Sequence, residues 1–378
     1  MGLMSNTVSI CQFQATEGEL PPIEDRYEWL RDRLLRQRFI DIKDSPDEVS
    51  LGIVELHDNA KTDFDDPGAF WIGTYFGFTI RQDTRRIPPA ILQEETQKQL
   101  TEWLQEHPDY TRVPKAARQD IKEAVRAHLM TKTLPAPSTF DVAWNTVTGI
   151  VTIGTTSNKG IDTVTTILAK AFPEFRFQMV HPYARAAKVA EKAGLTTNLQ
   201  DRNQSRTESI AESIQANKWI GTDLLLWMLY ARECQTTELP FWIDNKIVLQ
   251  QSDDDGEHTI SIKGVQSRLG EVKAALRDGK QITQATVYMT DETEETWRMT
   301  LKADTFYFAS YKCPTVQIER DDTTDLHDER QAVFLERMHL MEKGMGLFER
   351  ILATFLETRL KAESWGAVTQ KISEWIKE

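Results

Sequence analysis

The amino-acid sequence predicts an α+β protein with mixed antiparallel sheets, a protruding helical hairpin and a helical C-terminal tail. Three observations predict this class. Strand-like segments follow one another across short turns, which is typical of antiparallel pairing and not of βαβ units. Two proline-bounded helical segments interrupt the strands within residues 88–137. From residue 325 to its end the chain has only helical periodicity.

Six regions follow from these patterns. They are an N-terminal α/β region, a charged helical hairpin, a central strand pair with helices, a polar insertion or linker, a C-terminal α/β meander and the C-terminal helices, at residues 1–87, 88–137, 138–195, 196–217, 218–324 and 325–378. The first region has an alternating segment at 6–15 and a helical pattern at 23–39 after Pro21 and Pro22. Aromatic and β-branched residues predict further strands up to Asp83.

Prolines mark where the helices of the hairpin begin and end, and where the central region starts. They place two helices at about 90–106 and 114–131. Two strands follow at about 139–146 and 149–155, joined by the tight turn of the NTVTG segment, and then a helix at about 159–171.

The second half of the chain begins with a strongly apolar helix at 220–233, followed by a strand hairpin, a short helix and a strand meander. In the tail, Gly344 and Gly346 weaken the helix midway and predict a bend there.

The composition is that of a soluble protein with a sizeable core, since 40% of the 378 residues are apolar and 27% are charged. The net charge of −13 argues against a general attraction to nucleic acid or anionic lipid, but it does not exclude a local basic surface. Three distant cysteines predict reduced thiols in a cytoplasmic protein. There is no signal-peptide pattern and no apolar stretch long enough to span a bilayer, so no membrane contact is predicted.

Catalytic and nucleotide-binding motifs are absent from the sequence. The loop GTTSNKG (154–160) is not a P-loop, because Lys159 precedes the second glycine and no Ser or Thr follows it. It is predicted to cap a helix through one of the polar residues at 155–158. The acidic run at 253–257 lacks the ligand spacing of an EF-hand. The sequence predicts no enzyme, no metal and no cofactor.

A basic row on the second hairpin helix is the first pattern above background. Its members recur at i, i+3, i+7 and i+11 and fall within roughly 80° of one another on the helical wheel, and they are Lys115, Arg118, Lys122 and Arg126. Residues 110–134 hold six Lys or Arg and two acidic residues. The row is either a solvated helix face or a set of charges spaced to meet DNA phosphates.

A heptad-like apolar row in the tail is the second pattern. Its spacings alternate between four and three residues, as in an a/d seam, and its members are Phe334, Met338, Met341, Met345, Phe348, Leu352 and Phe355. The row either packs on its own domain or forms a homodimer interface, where Met and Phe are common.

The order of elements resembles that of the RdgC family of recombination-associated proteins. The resemblance rests on TIRQDTRRIPPAILQEETQKQLTEW, the basic helix, WNTVTGIVTIGTTSNKG, FWIDNKIVLQ and LGEVKAALRDGK, and it spans roughly residues 75–360. Asn145 stands where the family turn has Asp. The resemblance implies a horseshoe protomer that forms a ring dimer around double-stranded DNA. It also implies a cytoplasmic, nucleoid-associated protein without enzymatic activity that limits RecA-driven recombination.

The resemblance also suggests site residues. In the family, a basic residue and an aromatic at a hairpin tip close the ring; here Lys132 keeps the charge and Leu134 replaces the aromatic. The complete set predicted to contact DNA phosphates is Lys115, Arg118, Lys122, Arg126, Lys132, Lys263 and, as a minor candidate, Lys159. The alternative is an interaction or scaffold subunit of a phage or defence assembly, with the same fold and weakened or lost DNA binding.

Overall fold

Twelve strands and eleven α-helices are present in the part of the chain that the structure, a computed structural model, describes: residues 2–45, 47–205, 209–253, 256–316 and 325–378. The strands are β1 Thr7–Thr16, β2 Val49–Val54, β3 Trp71–Ile72, β4 Tyr75–Thr84, β5 Ala136–Asn145, β6 Ile150–Ile153, β7 Arg176–Met179, β8 Phe241–Asp253, β9 Gly256–Lys263, β10 Gln281–Thr290, β11 Thr296–Lys302 and β12 Phe308–Lys312. The helices are α1 Arg26–Arg36, α2 Pro89–Glu106, α3 Lys115–Lys132, α4 Asn158–Ala171, α5 Pro182–Lys192, α6 Thr196–Gln200, α7 Ile210–Ala216, α8 Trp219–Glu233, α9 Leu269–Arg277, α10 Leu326–Arg359 and α11 Ala362–Lys377.

The strands form a connected antiparallel sheet in the order β2-β4-β5-β6-β1-β12-β11-β10-β8-β9, with β3 on β4 and β7 on β1. Strand β1 joins the N-terminal and C-terminal halves. Its residues 7–10 pair with β12, whereas residues 11–16 pair with β6 on one edge and β7 on the other. The α+β class with antiparallel sheets is therefore confirmed, and strands from distant regions of the chain share one sheet.

Two apolar clusters hold the fold together. In the N-terminal cluster, α1 and α4 cover β4, β5 and β6, and aromatic rings such as Trp144 and Phe172 pack edge to face there. In the larger C-terminal cluster, α8 is apolar on nearly all sides and is covered by the meander, α10 and α11. A helix of this composition is stable in water only when most of its surface is buried.

The apolar row of the tail lies inside the protomer, which corrects its interpretation as a homodimer interface. None of its members is more than 6% exposed, and they are Phe334, Met338, Met341, Met345, Phe348, Leu352 and Phe355. Phe334 packs against Tyr75 of β4, Phe348 against the meander and Phe355 against α8. These side chains are core residues, because presenting them to a partner would require α10 to leave its own sheet.

Helix α10 continues through both glycines at which the sequence predicts a bend. Gly344 lies directly against Tyr311 and Trp297, so a Cβ atom there would overlap the phenol hydroxyl and the indole ring. Its role is close approach of the helix to the sheet. Gly346 meets nothing within 4 Å.

The region predicted as a polar insertion or linker contains the short helices α6 and α7. Leu199 of α6 is buried, and the side-chain amide of Asn217, which follows α7, donates to Asn203 Oδ1 at 2.8 Å. The described part of this region therefore contributes to the folded domain.

Candidate nucleic-acid interface

The helical hairpin extends from one end of the β4–β5 strand pair. Thr84 at the end of β4 pairs with Ala136 at the start of β5, so α2 departs and α3 returns at the same place. Each helix has 18 residues, which corresponds to a length of about 27 Å. The loop 107–114 is consequently the distal end of the hairpin, and the end of α3 is its base.

This geometry corrects the predicted tip. Lys132 is the last residue of α3 and Leu134 follows it just before β5, so both lie at the base. Lys132 faces the acidic start of α2: the pKa of Glu95 is lowered first by its hydrogen bond from Lys98 and further by the charges of Lys132 and His128. Leu134 is 75% exposed, but it is remote from the distal loop.

Aromatic side chains occupy the distal end instead. Trp103 stacks on His107 with ring centroids 4.1 Å apart, and Tyr110 meets the same indole edge-on at 5.3 Å. His107 Nδ1 lies 2.9 Å from the Trp103 carbonyl oxygen. Tyr110 remains 51% exposed. The sequence pattern did not single out this cluster, because its members are separated by the helix end and the loop.

All four members of the basic row on α3 are exposed, but they are not electrostatically equivalent. Arg126 Nη2 lies 2.6 Å from Glu48 Oε1, so a carboxylate already compensates its charge. Lys115, Arg118 and Lys122 have no ion-pair partner within the described residues. Since α3 starts at the distal loop, the uncompensated cations lie on the distal half of the hairpin.

The two helices of the hairpin carry opposite charge. Helix α2 has four glutamates and one lysine, Lys98, which pairs with Glu94 and Glu95 at 3.2 and 2.8 Å. Helix α3 has five Lys or Arg and two acidic residues. One side of the hairpin is therefore suited to polyanions and the other is not.

Lys159 and Lys263 lie on elements other than the hairpin. Lys159 is exposed in the first turn of α4, where Ser157 Oγ accepts a hydrogen bond from the Gly160 N–H at 3.1 Å. This confirms the predicted helix cap. Lys263 ends β9 at the opposite edge of the sheet from β4 and β5. It pairs in register with Lys246 of β8, a second basic residue that only the strand register reveals.

The NTVTG turn is closed by Asn145, whose side-chain oxygen accepts the N–H groups of Val147 and Thr148 at 3.0 and 3.1 Å. Its amide nitrogen donates to Glu342 Oε1 at 2.8 Å. An aspartate at this position would close the turn equally well but would place its carboxylate against Glu342. This contact explains why an amide suits this chain.

Among the residues with a described position, no group of three or more His, Cys, Asp or Glu is arranged to hold a metal ion. In the same part of the chain, no helix combines the length and the apolar character needed to cross a bilayer.

Comparison with known proteins gives one family. The model described as "Putative exonuclease, RdgC" matches residues 21–215, which include the hairpin, the NTVTG turn and α4 to α6. No curated protein matches the chain. The match covers more than half of the sequence and includes the hairpin and NTVTG segments of the resemblance, whereas FWIDNKIVLQ and LGEVKAALRDGK lie beyond it. The chain therefore belongs to the RdgC family.

Proposed function

We propose that the chain is a sequence-independent binder of double-stranded DNA that acts without catalysis as a homodimeric ring, is associated with the nucleoid and moderates RecA-dependent recombination. The observation that supports DNA binding most directly is the row of uncompensated cations Lys115, Arg118 and Lys122 on the exposed face of a hairpin helix. Such a row releases counterions from duplex DNA when it meets phosphates, and it does so irrespective of base sequence.

The proposal assigns different weights to the predicted contacts. Lys115 and Lys122 are seven residues apart, about 10 Å along the helix axis, so neighbouring phosphates of one strand are within reach of the row. Arg126 must leave Glu48 before it can contact a phosphate, and Lys132 lies beside α2. We therefore expect the distal half of the hairpin to supply most of the affinity.

A salt titration tests this assignment. Binding of a labelled random duplex is measured by fluorescence anisotropy at several NaCl concentrations, for the native protein and for the K115A/R118A/K122A variant. The slope of log K against log salt is negative, and each lost phosphate contact reduces its magnitude by about 0.9. The magnitude for the variant is therefore expected to be smaller by up to roughly 3. The matched control is K361A/K371A/K377A, a variant with the same charge change at the N-cap and on the helix of α11. Equal slopes for the two variants would contradict the proposal.

The ring and the absence of catalysis require separate measurements. Light scattering is expected to give twice the chain mass of 43.4 kDa. Incubation of the end-labelled duplex with Mg²⁺ or Mn²⁺ is expected to leave it intact, and degradation that survives repurification would overturn the non-enzymatic assignment.

The second candidate function is a protein-interaction or scaffold subunit. The acidic α2, the Arg126–Glu48 pair and the exposed Tyr110 favour it, because they weaken the basic field and offer an aromatic contact for a protein partner. Absence of a DNA complex even at low salt would support this function.

A further inference from the structure

A cleft of about 470 Å³ lies where β1, β6 and β7 face α5 and α10. This volume is in the range of small-molecule sites in proteins. Its walls combine strand side chains of β1 and β7, one face of α5 and the middle of α10. The proposed contacts with duplex DNA do not involve it.

Gly346 lines the cleft from α10, and packing does not require a glycine there. A Cβ atom at this position would meet nothing within 4 Å, whereas at Gly344 it would overlap two aromatic side chains. A glycine in a helix interior costs about 1 kcal/mol relative to alanine. The physical effect of Gly346 is to leave the helix surface bare at the cleft, so that a flat group can approach the backbone closely.

The acidic groups of the cleft are already satisfied by the protein. Arg185 is 4% exposed and donates to Glu349 Oε1 at 2.9 Å and to Gln12 Oε1, while its Nε has no partner within the described residues. Glu342 accepts hydrogen bonds from Tyr75 and Asn145 at 2.6 and 2.8 Å. Glu349 is therefore paired with a cation, whereas Glu342 accepts hydrogen bonds from neutral groups and keeps its charge.

The lysine side chains that line the cleft have fewer hydrogen bonds and ion pairs than its carboxylates. Lys188 has no ion-pair partner within the described residues, and Lys192 is 3.9 Å from a carboxylate oxygen of Glu349. The two lysines lie four residues apart, on one face of α5. Together with the buried Arg185 they give the cleft lining three positive groups against the two carboxylates of Glu342 and Glu349, and this net charge of +1 favours an anionic ligand.

The neutral part of the cleft suits a planar group with both donors and acceptors. Gln14 and Gln178 are register partners on β1 and β7. Gln14 donates to the Thr148 carbonyl at 3.0 Å, but its own oxygen and the whole Gln178 amide have no partner within the described residues. Apolar side chains of Ile150 and Met345 lie beside them.

We propose that this cleft binds a nucleoside monophosphate. The phosphate lies between Lys188 and Lys192, the base edge contacts the amides of Gln14 and Gln178, and the flat base covers Gly346. Amide side chains match the donor and acceptor pattern of a base edge, and lysine ammonium groups bind phosphate as point charges.

Isothermal titration of the full chain with AMP, adenosine and inorganic phosphate tests the proposal. AMP is expected to bind at least tenfold more tightly than either fragment. G346L fills the cleft and is expected to reduce AMP affinity at least tenfold. The matched control is G366L, which places the same side chain at an exposed glycine of α11 that also has no neighbour within 4 Å.

K188A provides a second variant that leaves the helix packing untouched. It is expected to weaken AMP at least tenfold and to leave adenosine unchanged. Absence of AMP binding, equal affinity for AMP and phosphate, or equal loss in G346L and G366L would each overturn the proposal. Duplex binding by G346L is expected to equal that of the native protein, which separates failure of this site from failure of the hairpin.

Discussion

Replacing each of the two glycines of α10 by alanine is expected to change stability in opposite directions. Gly344 and Gly346 are two residues apart in one continuous helix, so the gain in helix propensity is the same, about 1 kcal/mol for each. What differs is the surroundings of the new methyl group. At Gly346 it enters open space, and we expect G346A to stabilise the protein by up to about 1 kcal/mol.

At Gly344 the methyl group would overlap the side chains of Tyr311 and Trp297, both of which are fully buried. These side chains are fixed by hydrogen bonds to α10 itself: Trp297 Nε1 donates to the Leu340 carbonyl at 2.8 Å and the Tyr311 hydroxyl to the Met341 carbonyl at 2.9 Å. Relief of the overlap requires the helix to move away from the sheet and to strain or break these bonds.

Overpacking costs about 1–3 kcal/mol, and each buried donor left without an acceptor costs about 1–3 kcal/mol more. If one of the two bonds is lost, subtraction of the propensity gain of about 1 kcal/mol leaves an expected net destabilisation for G344A of about 1–5 kcal/mol. Equilibrium unfolding in urea, followed by circular dichroism, measures the free energy of unfolding of both variants against the native protein. A G344A variant as stable as G346A would refute the assignment of Gly344 to close helix–sheet packing.

Three further predictions concern single side chains. E48Q removes the partner of Arg126 and is expected to strengthen duplex binding and steepen its salt dependence, measured by anisotropy; weaker binding would show that the pair orders the interface. Burial opposes ionisation of Asp291, but hydrogen bonds from Lys343 and from the Thr293 side chain and backbone outweigh it and bring its pKa to about 2. Because that pKa is below the unfolded value of 3.8, the native protein should be more stable than D291N at neutral pH. In urea titrations this difference in the free energy of unfolding should vanish as the pH falls from about 4 to 2. A difference that does not depend on pH would contradict the ionised pairing. S157A removes the cap of α4 and is expected to cost about 1 kcal/mol in the same assay, and a smaller loss for S157G is the internal check.

Local sequence signals alone determine the positions of most helices and strands. Prolines fix the ends of α2 and α3, and the observed bounds Pro89–Glu106 and Lys115–Lys132 differ from the predicted ones by one residue. The same holds for α4, whose start is set by a capping serine. Capping, proline geometry and side-chain periodicity act within a few residues, so they can be read directly from the sequence. The family membership rests on the same local segments.

Which residues are available for function was decided only by the tertiary structure. Periodicity predicts the apolar row of the tail, but it does not show what the row packs against. The burial of Phe348 and its neighbours within their own protomer depends on strands far away in the chain. The spacing of Lys and Arg predicts a basic face on α3, but it does not show which of these charges are compensated. Arg126 pairs with Glu48, which is 78 residues away in the chain. The order of residues along the hairpin did not show that Lys132 lies at its base, because that position follows from the pairing of Thr84 with Ala136. Charge compensation and burial depend on contacts between distant segments, and the sequence alone does not specify which segments meet.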